Sequence, residues 1–257
     1  MMWILAVIIT LASAVYQRLT GPTYPFRGKV ALGDSEIKFR LPRSAEDVRD
    51  CDVTVKVADP DVAGTLSFRR HKTDDPWTQV ALERRNDLLS ATLPKQLAAA
   101  KLAYKILLRR AEKEVSLSGE NPIVIRFRGR VPLWILLPHI IVMFLAMLFS
   151  TMAGIAALGR TIDPRKLVLW TVVLLFIGGF ILGPAVQKLS FGSLWTGIPF
   201  GWDLTDNKTL IALAVWVAAL VAGRRGKPAR GWVLAAAVVM LVVFLIPHSV
   251  LGSELKY

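Results

Sequence analysis

Cysteine is nearly missing from this sequence: Cys51 is the only one among 257 residues. An intrachain disulfide, a CxxC redox pair and a cysteine-based zinc site are therefore excluded. Catalytic signatures are missing too. The chain holds no Walker lysine loop, no GxSxG, no HExxH and no glycine fingerprint for a nucleotide. No catalytic residues can be assigned, and a non-enzymatic protein is expected. The long apolar runs carry no acid or lysine at mid-depth, which places an ion-coupled transporter or a channel component third among the readings. No EF-hand-like spacing of oxygen ligands is present, so no metal site is expected.

What is present is apolar and gathered in blocks. Hydrophobic residues make up 54% of the chain and the mean hydropathy is +0.48, as in a membrane protein. The formal net charge is +13, with 22 Lys and Arg against 15 Asp and Glu between Gln17 and Val131. That balance suits anionic lipids, acidic glycans or an acidic partner subunit. Nucleic acid is not expected, because the basic part reads as exported.

Residues 1–18 contain WILAVIITLASAV, with no Lys or Arg before it and an Ala12-Ser13-Ala14 triplet. The run is short for a bilayer span of about 20 residues. It reads as a signal peptide or a retained signal anchor, and either one exports the chain downstream of it.

Residues 22–130 alternate apolar and polar with the period of two that a half-buried strand requires. Ile37, Phe39 and Leu41 form one series, and Val53, Val55 and Val57 another. Leu66 with Phe68, Val80 with Leu82, then Leu102, Tyr104, Ile106 and Leu108, and finally Ile123, Ile125 and Phe127 continue the pattern. Ala98–Leu108 also holds good helix formers, but a strand from Lys101 is expected. Turn signals such as Ala58-Asp59-Pro60-Asp61 and Thr73-Asp74-Asp75-Pro76 separate the series, and seven or more short strands predict an all-β sandwich. The stretch TLSFRRHKTDDPWTQVALERRNDLLSATLP followed by LAYKILLRR, within residues 64–110, resembles the immunoglobulin-like or fibronectin III-like modules of exported bacterial proteins. The features that carry the resemblance are a strand ending in arginine, a Trp after a turn, an A-x-L-P and a Tyr-bearing strand. It implies a fold and no activity, since that fold hosts many functions.

Residues 132–257 then predict an α-helical transmembrane bundle of four helices, about 132–158, 167–187, 207–223 and 231–251. The short connections carry Arg160, Arg165 and Lys166 against Asp163, and Arg224, Arg225, Lys227 and Arg230 without any acid. Basic short loops belong in the cytoplasm. The expected fold class is thus mixed and multi-domain, an extracytoplasmic sandwich followed by a helical bundle in a bacterial inner membrane. The β-domain, the loop 190–209 and the tail GSELKY are expected outside.

That loop, SFGSLWTGIPFGWDLTDNKT, is the candidate contact surface. Phe191, Trp195, Phe200, Trp202 and Asp203 are the candidate partner-binding residues, on a chain that Gly192, Gly197, Pro199 and Gly201 allow to fold back tightly. Thr205 or Asp206 is placed to cap the next helix. Asp203, Asp206 and Asn207 also offer oxygens to a cation, and the bland alternative is an interfacial cap on the bundle. Gly179 and Gly183 mark a close helix contact. His71 falls on a polar turn and is expected to be solvated. His139 and His248 each follow a proline near the outer end of a span. They are read as structural histidines that bond a carbonyl freed by proline. The alternative makes them axial ligands of a b-type haem in an electron-transfer subunit, with Arg128, Arg130 or Lys188 for the propionates. No cofactor is otherwise expected. The leading functional expectation is an accessory, scaffold or recognition subunit of an envelope complex, with the lipid bilayer and other membrane or envelope subunits as partners.

Overall fold

The computed structural model describes residues 1–33, 35–160, 162–225 and 229–248. Lys227 and the tail GSELKY lie outside the described residues. The described residues divide into two compact units, one of residues 23–130 and one of residues 1–22 together with residues 131–248.

The first unit is β-rich and sandwich-like, with three sheets. A hairpin pairs β1 (Phe26–Leu32) with β2 (Ser35–Leu41), in register from Phe26 opposite Leu41 to Leu32 opposite Ser35. The largest sheet runs in the order β3 (Ser44–Glu46), β11 (Ile123–Arg128), β9 (Lys101–Arg110), β5 (Ala63–Arg70) and β6 (Thr78–Ala81), and β10 (Lys113–Ser116) also pairs with β9. A third sheet orders β4 (Cys51–Lys56), β8 (Leu88–Leu93) and β7 (Glu83–Arg85). All pairs are antiparallel except β3 with β11.

The period-two pattern puts Leu102, Tyr104, Ile106 and Leu108 of β9 into one core with Ile37, Leu41, Val53, Val55, Leu66, Ile125 and Phe127. Each such side chain, fully buried, contributes about 1.5–3 kcal/mol. The Tyr104 hydroxyl keeps a partner in that core by donating to the Pro42 carbonyl at 2.7 Å, and burial pushes its pKa upward. Burial, and then Asp52, likewise raise the Cys51 thiol, which suits an inert half-buried cysteine. The pattern fails at Val80, which is exposed, because β6 is an edge strand with a neighbour on one side only. Leu82, just past its end, turns inward instead.

The second unit is helical. Four of its helices are long and apolar enough to cross a membrane: α1 (Met2–Thr20), α2 (Leu133–Gly159), the continuous rod Arg165–Phe191, and α5 (Leu204–Ala222). The rod consists of α3 (Arg165–Phe176), a π-helical turn (Ile177–Leu182) and α4 (Gly183–Phe191). Pro184, which has no N–H to donate, follows that turn. The last helix, α6 (Arg230–Leu245), has 16 residues and stops short of the expected 231–251. Ile246 precedes Pro247 and takes an extended backbone, ψ 117°, as a residue before proline prefers. The N-terminal segment is therefore one of the four long helices and the last apolar run is not. α2 packs on α1, α3 and α6, and α5 packs on α3 and α6. Gly178 and Gly179 in the π turn permit two of these contacts. A Cβ would fall 2.6 Å from Met143 of α2 at the first and 2.5 Å from Thr209 of α5 at the second. Gly183, the other glycine of the expected pair, would meet His139 of α2 at 3.7 Å.

Candidate functional site

The site is organised by the first turn of α5. α4 closes on Gly192 in the left-handed region, φ 86°, and α5 starts at Leu204, so the loop proper is 192–203. The helix cap is Asp203, two residues before Thr205 and three before Asp206. Its Oδ1 accepts from the backbone N–H of Thr205 at 2.8 Å and of Asp206 at 3.4 Å, the ordinary geometry of an N-cap.

Asp206 is free for another task. Its Oδ2 accepts from the backbone N–H of Thr196 at 2.6 Å and of Gly197 at 3.0 Å, from Gln187 Nε2 at 3.0 Å, and from the Thr196 hydroxyl at 3.2 Å. Asn207 Oδ1 accepts from the Ile198 N–H at 2.7 Å. Three consecutive loop amides are thus held by two consecutive side chains of one helix. A Cβ on Gly197 would come 2.6 Å from Asp206 Cβ, so only glycine lets the two chains approach this closely. Asp203 Oδ1, Asp206 Oδ2 and Asn207 Oδ1, which the sequence offers to a cation, each accept from N–H donors. Among the described residues no group of three His, Cys, Asp or Glu is placed to hold a metal ion.

The aromatic residues divide. Trp195 is half-buried, stacked on Phe180 at 5.3 Å, and its Nε1 donates to the Ile198 carbonyl at 3.1 Å. Phe191 is half-buried as well. Phe200 and Trp202 stand out, 82% and 84% exposed, whereas Asp203 is 8% exposed and faces its own helix. Of the five expected contact residues, Phe200 and Trp202 are the ones presented outward, and Asp203 is better described as part of the frame.

Lys208 continues the same helix start. It is 4% exposed, and its Nζ donates to the Ile246 carbonyl at 2.6 Å. Pro247 ends α6 there and leaves its last carbonyls without helical donors, so side chains from two other helices supply them. Gln17 of α1 donates its Nε2 to the Phe244 carbonyl at 2.6 Å and to the Ile246 carbonyl at 3.3 Å. Gln17, Gln187 and Lys208 were not anticipated from the sequence. The available signal was a polar residue at the edge of, or inside, an otherwise apolar run.

The two histidines lie in the same region. His139 Nδ1 meets the Gly178 carbonyl at 3.0 Å, and His248 Nδ1 meets Gln17 Oε1 at 3.0 Å. Both contacts assign the Nδ1–H tautomer, since a carbonyl and the amide oxygen of a Gln whose NH2 is already donating can only accept. The acceptor for His139 is on the neighbouring rod rather than one turn back on its own helix. Lys188 donates to the Gly192 carbonyl at 2.8 Å, closing the end of α4. His71 is half-buried in its turn, and its backbone N–H donates to the Lys101 carbonyl at 3.0 Å.

No protein-family model, curated protein or solved structure matches this chain, so the site stands on its own geometry.

Proposed function

We propose that the chain is a non-catalytic recognition or scaffold subunit of an envelope complex in a bacterial inner membrane. In this reading the sandwich is an immunoglobulin-like or fibronectin III-like module, and it lies outside the cytoplasm with the aromatic loop. One observation carries the reading: Phe200 and Trp202 are exposed on a loop whose backbone is fixed from below by Asp206 and Asn207. Exposed aromatics on a mobile loop must be ordered before they bind, whereas a loop already held avoids that entropy cost. Large aromatics are also the residues that most often dominate an interface.

The sandwich adds a charged surface. In the β1–β2 hairpin Arg27 stands opposite Arg40 and Lys29 opposite Lys38, two like-charge pairs that repel across the ladder. Glu36 reaches Lys29 at 3.0 Å and Lys38 at 3.8 Å, while Arg27 lies over the Tyr24 ring at 5.0 Å. Such a face suits anionic lipids, acidic glycans or an acidic partner subunit.

The test is co-purification in mild detergent. The double change Phe200→Ala and Trp202→Ala is expected to release partner proteins while the chain stays inserted and folded. Unchanged partners would return the loop to the role of an interfacial anchor. A second reading, a single b-type haem between His139 and His248, is favoured by the bonded Nδ1 atoms, which leave both Nε2 lone pairs for a ligand. A Soret band in the same preparation, removed by His139→Ala, would install it in place of the scaffold reading.

A further inference from the structure

At the end of the helical unit away from the aromatic loop, α3 and α6 begin where α5 finishes. Between them is a cavity of about 220 Å³. Its wall is mostly apolar and includes Val168 of α3, Ala219 and Leu220 of α5 and Val233 of α6, and Arg165 and Arg224 also line it. The arginines differ. Arg165 is engaged by Asp163, with Nε at 2.7 Å and Nη2 at 2.6 Å from Oδ2, and that bond holds the Asp163 carboxyl below its usual range. Arg224 is exposed and has no ion-pair partner among the described residues. The start of α6 has no acid in its first turn and no side-chain cap, whereas the first amide of α3 is taken by Asp163, whose Oδ1 accepts from the Arg165 N–H at 3.1 Å. The positive end of the α6 dipole therefore adds to Arg224, while the Asp163 carboxylate offsets both Arg165 and the start of α3.

We propose that this cavity binds an anionic phospholipid, with the phosphate at Arg224 and the start of one acyl chain against Val168, Leu220 and Val233. The positive field asks for an anion, and the wall says which source supplies it. A free phosphate would satisfy Arg224 and leave the apolar wall in water. A phospholipid covers both, and basic pockets between membrane helices recognise such headgroups. The inference rests on these helices crossing a bilayer and is independent of what the aromatic loop contacts.

The experiment uses the full chain, delipidated in detergent, with thermal unfolding followed against added phosphatidylglycerol, phosphatidylcholine or inorganic phosphate. Phosphatidylglycerol is expected to raise the midpoint, and the other two are not. Arg224→Glu is expected to weaken phosphatidylglycerol binding at least ten-fold with the lipid-free midpoint unchanged, and native mass spectrometry should show the loss of one retained lipid. Leu220→Trp, which fills the wall and leaves both arginines in place, should give the same loss if Arg224→Glu proves unstable. Equal shifts with phosphatidylcholine would overturn the proposal, as would full binding by both variants. A shift reproduced by inorganic phosphate alone would replace the lipid by a soluble anion.

Discussion

The two units place most of their paired charges differently. In the sheet unit Lys29–Glu36, Arg70–Asp75, Arg85–Glu83 and Arg109–Glu114 pair at the surface, where such pairs add little stability, and the core cluster is aliphatic and aromatic. Buried Arg126 and the partly buried Arg110–Asp59 pair are exceptions. In the helical unit Leu133, Trp134, Leu169 and Trp170 face outward, while Asp203, Asp206 and Lys208 are buried. A unit folded against water draws its stability from taking apolar area away from the solvent. A unit folded against hydrocarbon gains little from apolar contact alone, and polar bonds and close packing specify its arrangement instead.

The largest test of that contrast is Asp206→Ala. It strips the acceptor from two backbone amides and Gln187 Nε2 inside a protected site, and breaking such a network costs on the order of 3–5 kcal/mol. Thermal unfolding in detergent should show a loss of that size in the helical transition, together with an altered Trp195 emission and an unchanged sheet transition. A loss below about 1 kcal/mol, no more than one ordinary hydrogen bond, would mean that the loop is held by its apolar contacts, and the two units would differ less than their charge placement indicates.

The same contrast explains what the sequence reveals. Period-two alternation is local, so the apolar faces of β2, β4, β9 and β11 can be read directly. Their pairing cannot, and neither can the parallel entry of β3 beside β11, because register depends on partners far along the chain. The spans are legible as long apolar runs, although a Pro-terminated α6 shows that a run of suitable residues is not a helix of that length. The aromatic loop is visible as a cluster of Trp, Phe and Gly. Its frame is not, because Asp206 and Asn207 turn back onto loop amides and Gln187 meets Asp206 across 19 positions, nor is the closure of α6, where Gln17 meets Phe244 across 227 and Lys208 meets Ile246 across 38. Asp203 and Asp206 look interchangeable in sequence. Only the starting point of α5 decides that one caps and the other clamps.

A middle-sized effect probes the rare polar group in the sheet core. Tyr104→Phe keeps the ring and removes the hydroxyl that donates to the Pro42 carbonyl. The loss should be about 1–2 kcal/mol, one hydrogen bond plus a carbonyl left without its donor. Chemical denaturation of residues 23–130 would measure it. No loss would show that water reaches Pro42 and that this core is wetter than its apolar lining implies.

The smallest effect belongs to the surface pairs and gives the contrast its pH signature. Arg70 donates to the two carboxylate oxygens of Asp75, at 2.5 Å from Nε and 2.9 Å from Nη2. That bond, with smaller help from Thr73 and the charges of Arg70 and Arg69, lowers the Asp75 pKa from 3.8 to about 2. A carboxyl depressed in the folded state binds its proton more weakly there than in the unfolded chain. Its stabilising effect is therefore complete above about pH 3.8 and lost as the pH falls through about 2. Carbon NMR of the Asp75 carboxyl in residues 23–130 should give a midpoint near pH 2, moving toward 3.8 in Arg70→Ala, with little change in stability at neutral pH because the pair is exposed to solvent. A midpoint already near 3.8 in the unmodified protein would show that Arg70 does not hold Asp75 in solution. A large neutral-pH destabilisation by Arg70→Ala would cut deeper, because the sheet unit would then depend on a charged pair as the helical unit depends on Asp206.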